Sequence, residues 1–404
     1  MKKLFSRTNS HLLFVLMALF FFIQQGCKKD TSSSSSGMPE ITGIRNYVAS
    51  PGDSLITRVG TGKWIVITGK NLRGALQIYF NGVKGSFNES WFSDTSAIVL
   101  MPAVIPFPSV EASQLNTIRY VTIHGETTFS FPIVAPAPTI TGISNESANP
   151  GDSVRINGLN FFFIQRVTYA GQNITDFTGS NDGTSISLVV PAGLTNSGIV
   201  EVITKSGGAK TVYNVHDYTT GMLNNYDDIN TLAWGSDISN SSANYPGHAG
   251  NYGVMKASNV PAGNGNWWEG GRSINTNPVQ WVPVANLTDS VSHYALKFEV
   301  SVTKPWVNGS VKIIKDFGFD NYAALYRPWK NSNGSETPFK TNGWQTITIP
   351  LSNFLKNGLP TSSLTELLGS TGNGGINFTF LNDGSTMVEG FEAAFDNIRV
   401  VKIK

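Results

Sequence analysis

The residues best suited to chemistry in this 404-residue chain are its tryptophans, and they are unevenly placed. Trp234, Trp267, Trp268, Trp281, Trp306, Trp329 and Trp344, seven of the nine, all fall after residue 220. Trp267 and Trp268 stand in Pro261-Ala262-Gly263-Asn264-Gly265-Asn266-Trp267-Trp268-Glu269-Gly270-Gly271, a segment too rich in glycine to give local apolar cover. At least one of these indoles is expected to face solvent, and a loop that displays an indole marks a recognition surface. A sugar is the matching ligand, because its axial C–H groups stack on the π-face of Trp or Tyr while its hydroxyls bond to amides and carboxylates. Asn266, Glu269 and Arg272 neighbour the pair in sequence and are the candidate hydroxyl partners. Trp306, in a turn after Pro305, and Trp329, directly after Pro328, are candidates to extend the stacking surface. Trp344 starts a strand and is expected to pack.

Two other chemistries are weighed against stacking. Glycoside hydrolysis needs only two placed carboxylates, and Asp316, Asp320, Glu336, Asp383, Glu389, Glu392 and Asp396 are available, but none lies in a recognisable catalytic motif. A binding protein that is not an enzyme is therefore expected, with a glycoside hydrolase as one alternative and an adhesin for a protein partner as the other. His124, His216, His248 and His293 are scattered without ligand spacing, so no cofactor is expected; a structural calcium held by loop carboxylates stays open.

The elements that must carry these residues read as strands. Tyr294 to Thr303, Ser310 to Asp316, Ala323 to Tyr326, Trp344 to Pro350, Ile376 to Leu381 and Ala394 to Ile403 alternate or run apolar between loops of Asn, Gly and Ser. They predict a two-sheet jelly roll over residues 220–404.

An internal repeat precedes it. Pro39-Glu40-Ile41-Thr42-Gly43-Ile44 recurs as Pro138-Thr139-Ile140-Thr141-Gly142-Ile143, Pro51-Gly52-Asp53-Ser54 as Pro150-Gly151-Asp152-Ser153, and Ile67-Thr68-Gly69-Lys70-Asn71 as Ile156-Asn157-Gly158-Leu159-Asn160. Each copy has the length of an immunoglobulin-like sandwich, which sets domains at 38–136 and 137–219. The whole is expected to be all-β: two immunoglobulin-like sandwiches followed by a larger β-sandwich of the carbohydrate-binding-module kind. In the first copy Trp64 alternates with core positions and is expected to be buried; Trp91 lies in a loop-like stretch.

The N-terminus reads as an export signal, with Lys2, Lys3 and Arg7 ahead of an apolar run from Leu12 to Ile23 that is short for a membrane span. Gly26-Cys27 ends it as a lipobox does, so residues 1–26 are expected to be cleaved and Cys27, the only cysteine, to carry the lipid. The serine-rich stretch to Gly37 then makes a tether over 27–37. Cleavage removes Lys2, Lys3 and Arg7 and no acid, which turns the net charge of +2 into −1 and leaves no basic field for nucleic acid.

Two family resemblances rest on these residues. The repeated motifs resemble the IPT/TIG immunoglobulin-like family, whose domains bind ligand or act as spacers; spacers are expected here because the copies carry few aromatic residues outside strands. Tyr322-Ala323-Ala324-Leu325-Tyr326-Arg327-Pro328-Trp329, Thr341-Asn342-Gly343-Trp344-Gln345-Thr346-Ile347 and Phe395-Asp396-Asn397-Ile398-Arg399-Val400 resemble the xyloglucan-binding C-terminal domain of surface glycan-binding proteins that accompany SusC/SusD-type uptake systems in Bacteroidetes. That resemblance implies that Trp234, followed by the pair Trp267 and Trp268, forms a platform for a β-glucan. It also implies a lipid-anchored protein on the outer-membrane surface, with a SusC/SusD-type transporter as partner.

Overall fold

The computed structural model describes residues 37–316 and 321–404. The expected signal peptide, Cys27, most of the tether and Asp320 lie outside the described residues. The described residues up to Ile105, with Val110–Val134, make one compact unit; Pro106–Ser109 and Ala135–Lys404 make the other.

The repeat in the sequence is a repeat in topology. The first copy pairs Glu40–Asn46, Trp64–Lys70, Ser96–Leu100 and Ser86–Phe87 in one four-stranded sheet, and Val83–Lys84, Ala75–Phe80, Thr117–Thr122 and Gly125–Ser130 in another. The second copy has the same order: Thr139–Ile143, Ser153–Leu159, Ser185–Val189 and Phe177–Gly179, then Gln172–Ile174, Ile164–Tyr169, Val200–Thr204 and Gly207–Lys210.

Local chemistry explains the shared motif. The first strand of each copy shifts register between Ile41 and Gly43, or Ile140 and Gly142, as a bulge does. Opposite it, a Cβ on Gly69 or Gly158 would run into the carbonyl oxygen of Glu40 or Thr139, so only glycine fits. Asn71 and Asn160 then take left-handed backbone, at φ 56° and 61°, and their amides donate to the carbonyls of Met38 (3.0 Å) and Ala137 (3.1 Å). Bulge, glycine and asparagine together fix the entry of each domain.

The expectation that Trp64 is buried is corrected. Period-two alternation does hold along Trp64–Lys70, but it sends Ile65 and Ile67 inward and leaves Trp64 on the outer face.

The C-terminal domain packs two antiparallel sheets. One orders Asp237–Ser239, Tyr252–Val260, Val388–Lys402, Tyr294–Ser301 and Gln345–Pro350, with Met222–Asn224 also on Val388–Lys402. The other runs Leu232–Trp234, Ser273–Thr276, Ile376–Leu381, Ser310–Lys315, Ala323–Tyr326, Leu355–Lys356 and Leu359–Pro360. Phe298, Phe395, Phe378 and Ile313 meet between them, with Phe298 and Phe378 edge to face at 5.1 Å.

Tyr294–Ser301 is buried along its whole length. Its outward residues Lys297 and Glu299 are covered by the second immunoglobulin-like domain, where Glu146 reaches Lys297 and Arg399. The backbone joins in, since Thr346 N–H donates to the Ser144 carbonyl (2.9 Å) and Glu146 N–H to the Thr346 hydroxyl (2.7 Å).

Candidate functional site

Trp234 ends a three-residue edge strand whose pairing with Ser273–Thr276 shifts between Leu232 and Trp234. The strand end is held from below by buried amides: Asn275 donates to the Trp234 carbonyl (3.3 Å) and accepts from Asn377 (3.0 Å). Gly235 follows at φ 123°, where a Cβ would strike the Ser273 carbonyl. The indole is thereby turned off the sheet, 42 % exposed.

Trp267 and Trp268 come from the link between Tyr252–Val260 and Ser273–Thr276. Gly263, Gly270 and Gly271 take left-handed backbone, which lets this link fold back on itself. Asn382 clamps its base, donating to the carbonyls of Val260 and Pro261, both at 2.9 Å. Arg272 braces the middle: its guanidinium donates to Asn264 Oδ1 (3.2 Å) and the Asn266 carbonyl (3.4 Å) and pairs with Glu269 (3.4 Å). The Asn266 amide donates to Glu269 at 2.8 Å. Asn266 and Arg272, chosen as sugar partners, are thus committed first to one another and to the loop; Arg272 is buried, while Glu269 remains exposed.

This scaffold places the Trp267 ring against Trp234 at a centroid distance of 5.6 Å and an interplanar angle of 29°. Such a pair contributes about 0.5–1.5 kcal/mol beyond its buried area, which holds both rings in one orientation before any ligand arrives. Trp268 stands edge-on to Trp267 at 5.8 Å and 82°, and is 58 % exposed. The arrangement offers a near-parallel indole pair and a third indole turned across it.

Beside the loop lies a hollow lined by Lys256, Glu269, Arg272, Lys304 and Glu392. Lys256 and Glu392 face each other across neighbouring strands, and Lys304 reaches Glu392 at 2.6 Å. Hydrogen bonding from Lys304 holds the Glu392 carboxyl below its usual range, so it is an anionic acceptor at neutral pH. Strand register and the fold, not proximity along the chain, bring Lys256, Lys304 and Glu392 together.

Trp306 and Trp329 are corrected as site residues, for both are core. The Trp306 indole donates to the Asn308 carbonyl (2.7 Å) and packs on Phe391 at 4.8 Å. Trp329 is buried and donates to the Gly309 carbonyl (2.7 Å). Isolated backbone bridges, Trp306 with Phe339 and Lys330 with Glu336, tie down the segments that carry the two rings. Trp344 is buried with Tyr245 and Tyr252.

Among the described residues, Asp316, Asp383 and Asp396 are each tied to a basic partner and not to a second carboxylate. Asp383 pairs with Arg327, Asp316 with Lys315, and Asp396 is buried 3.0 Å from His248. Burial raises Asp396 to about 6, the direction a general acid needs, but its position against His248 leaves it no access to substrate. Among the described residues no three of His, Cys, Asp or Glu converge as a metal site.

Comparison with known proteins follows this geometry. Residues 215–402 match the family model of the surface glycan-binding protein B xyloglucan-binding domain. An IPT/TIG domain-containing protein of Bacteroides ovatus is 29 % identical over 223 residues, which cover 51 % of this chain and 45 % of that relative, so the match spans about half of each. The surface glycan-binding protein PbSGBP-B of Prevotella bryantii superposes with a TM-score of 0.66 at 25 % identity, covering 92 % of this chain and all of that one. An SGBP-B from a complex xyloglucan utilization locus in Bacteroides uniformis shares the fold, with a TM-score of 0.51 at 21 % identity over 90 % of this chain and 99 % of that one.

Proposed function

We propose that this protein, whose residues 215–402 match the xyloglucan-binding domain model of surface glycan-binding protein B, holds a β-linked plant glucan of the xyloglucan class against Trp234, Trp267 and Trp268 without cleaving it. The observation that carries the reading is the near-parallel Trp234–Trp267 pair with Trp268 exposed beside it, on a loop that Arg272 locks in place. Pyranose faces stack on the indoles, and Glu269, Lys256 and Glu392 in the adjoining hollow bond to hydroxyls. The tandem immunoglobulin-like domains hold the C-terminal domain away from the membrane, Cys27 carries a lipid, and the protein stands on the outer-membrane surface to present its glycan to a SusC/SusD-type transporter. Loss of membrane association in a Cys27→Ala chain is expected; an unchanged distribution removes the anchor from the reading.

The deciding experiment is affinity electrophoresis of the mature chain through xyloglucan, mixed-linkage β-glucan, glucomannan and an α-glucan. Retardation by a β-glucan that Trp267→Ala/Trp268→Ala sharply weakens is the expected result. Free migration in every gel overturns the proposal in favour of a protein partner, and shortening of the glucan by concentrated protein overturns the non-catalytic part.

A further inference from the structure

A second row of aromatic rings lies on the first immunoglobulin-like domain. Tyr47, Trp64 and Trp91 are 52 %, 38 % and 50 % exposed, and their rings follow one another at centroid distances of 6.0 and 5.8 Å. Tyr47 follows the strand Glu40–Asn46, Trp64 opens the neighbouring strand Trp64–Lys70, and Trp91 closes the short 3-10 turn Glu89–Trp91.

The fold itself does not require these rings, as the second copy demonstrates. Trp64 pairs with Leu100 just as Ser153 pairs with Val189, so a serine serves at the same register position. Tyr47 corresponds to Glu146, which in the second copy is buried against the C-terminal domain. The second copy joins Phe177–Gly179 to Ser185–Val189 through a shorter link with no counterpart of the turn that carries Trp91. Three large rings are thus exposed on the first copy, while the second copy builds the same sheets without them.

We propose that Tyr47, Trp64 and Trp91 form a second glycan-binding site, which stacks the pyranose faces of a polysaccharide chain. Like the C-terminal trio, the row is three neighbouring aromatics, with centroid spacings of 6.0 and 5.8 Å beside the 5.6 and 5.8 Å found there, although both of its ring pairs are tilted, at 43° and 54°. Groups suited to hydroxyls flank Trp91 in sequence: Glu89 and Ser90 precede it and, with Arg73 and Phe92, line a shallow hollow. A standard protein interface buries about 800 Å² on each partner, more than three partly exposed rings supply, whereas one face of a short run of sugar units fits them. The site shares with the C-terminal reading only its class of ligand. Two sites on one chain engage one long polymer together, which raises apparent affinity for polysaccharide over short oligosaccharide.

The test compares four full mature chains in gels of xyloglucan and mixed-linkage β-glucan: the native chain, Trp64→Ser/Trp91→Ala, Trp267→Ala/Trp268→Ala, and the combination. Trp64→Ser copies the residue of the second domain, and an unchanged melting curve certifies the fold; Trp91→Gln alone, in the exposed turn, is the fallback. Expected are residual retardation in Trp267→Ala/Trp268→Ala that the combination abolishes, and weakening of polysaccharide binding by about tenfold in Trp64→Ser/Trp91→Ala. Native-like retardation in Trp64→Ser/Trp91→Ala together with complete loss in Trp267→Ala/Trp268→Ala overturns the second site and leaves the first standing. The reverse pattern supports this site and removes the C-terminal one. Self-association that the Trp64 and Trp91 changes dissolve, with no glucan retarded, makes the row a protein contact and overturns it.

Discussion

Arg399 and Glu146, 253 residues apart in the chain, form a 2.8 Å ion pair with both side chains almost wholly buried. Arg399 also holds Glu299 at 2.9 Å, and Lys297, paired with Glu146, lies over the Tyr213 ring at 3.3 Å from its centroid. Two cations and two anions are thus sealed between the second immunoglobulin-like domain and the C-terminal sandwich.

Removing Glu146 leaves that cluster with an uncompensated positive charge. Glu146→Ala is expected to destabilise the chain by about 3–5 kcal/mol, because a buried charge without its partner keeps its full desolvation cost. Denaturant unfolding followed by tryptophan fluorescence reads this directly; a midpoint equal to that of the native chain contradicts the seal.

Trp268, the most exposed indole of the C-terminal trio, has little to contribute to folding. Trp268→Ala is expected to leave the melting temperature unchanged while costing about 2 kcal/mol of glucan binding, roughly thirtyfold, as central aromatic anchors do. Trp234→Ala is expected to weaken binding as much and to lower stability slightly as well, since its ring packs on Trp267. Calorimetric titration with a soluble β-glucan oligosaccharide checks both.

Arg272 positions the loop from within, so Arg272→Ala is expected to loosen residues 263–271 and weaken binding. Faster proteolytic cleavage inside that loop accompanies the loss. Arg272→Lys restores little, because one ammonium cannot reach Asn264, Asn266 and Glu269 in the fork geometry a guanidinium uses.

His248 and Asp396 make stability fall as pH rises from about 4 to beyond 6.5. Burial raises Asp396 from 3.8 to about 6, only partly offset by the His248 contact, so the folded chain keeps a proton that the unfolded chain releases in this window. For His248, burial alone lowers the value, but the hydrogen bond to Asp396 and its charge outweigh that and raise it, which extends the decline above 6.5. Melting temperatures measured from pH 4 to 8 are expected to decline for the native chain, and Asp396→Asn to flatten the lower part of the curve.

Trp306→Ala and Trp329→Ala are expected to cost about 3–5 kcal/mol of stability each, as deletion of a buried indole does. Thermal unfolding distinguishes this from a rim role, which would leave stability untouched.

Much of the architecture was legible because its signals are local. Five C-terminal strands, Tyr294–Ser301, Ser310–Lys315, Ala323–Tyr326, Gln345–Pro350 and Ile376–Leu381, fall within a residue or two of their expected runs, and a sixth, Val388–Lys402, overlaps its own. Tyr252–Val260 and Leu232–Trp234 escaped notice: the first mixes Gly, Lys, Ser and Asn with its apolar residues, and the second is only three residues long.

The sequence by itself determined the repeat, the all-β class and the glycine-rich display of Trp267 and Trp268, because bulges, left-handed asparagines and period-two patterns depend on neighbours a few residues away. Only the tertiary structure decided which indoles meet water. Trp64, Trp306 and Trp329 each lie on the side opposite to the one their local pattern suggests, since the burial of a ring depends on what a distant segment lays over it: Phe391 covers Trp306, while Trp64 stands against Tyr47 and Trp91, themselves about half exposed. The joining of Glu146 to Arg399 lies beyond local pattern for the same reason, as each charge reads as surface until the other domain removes its water.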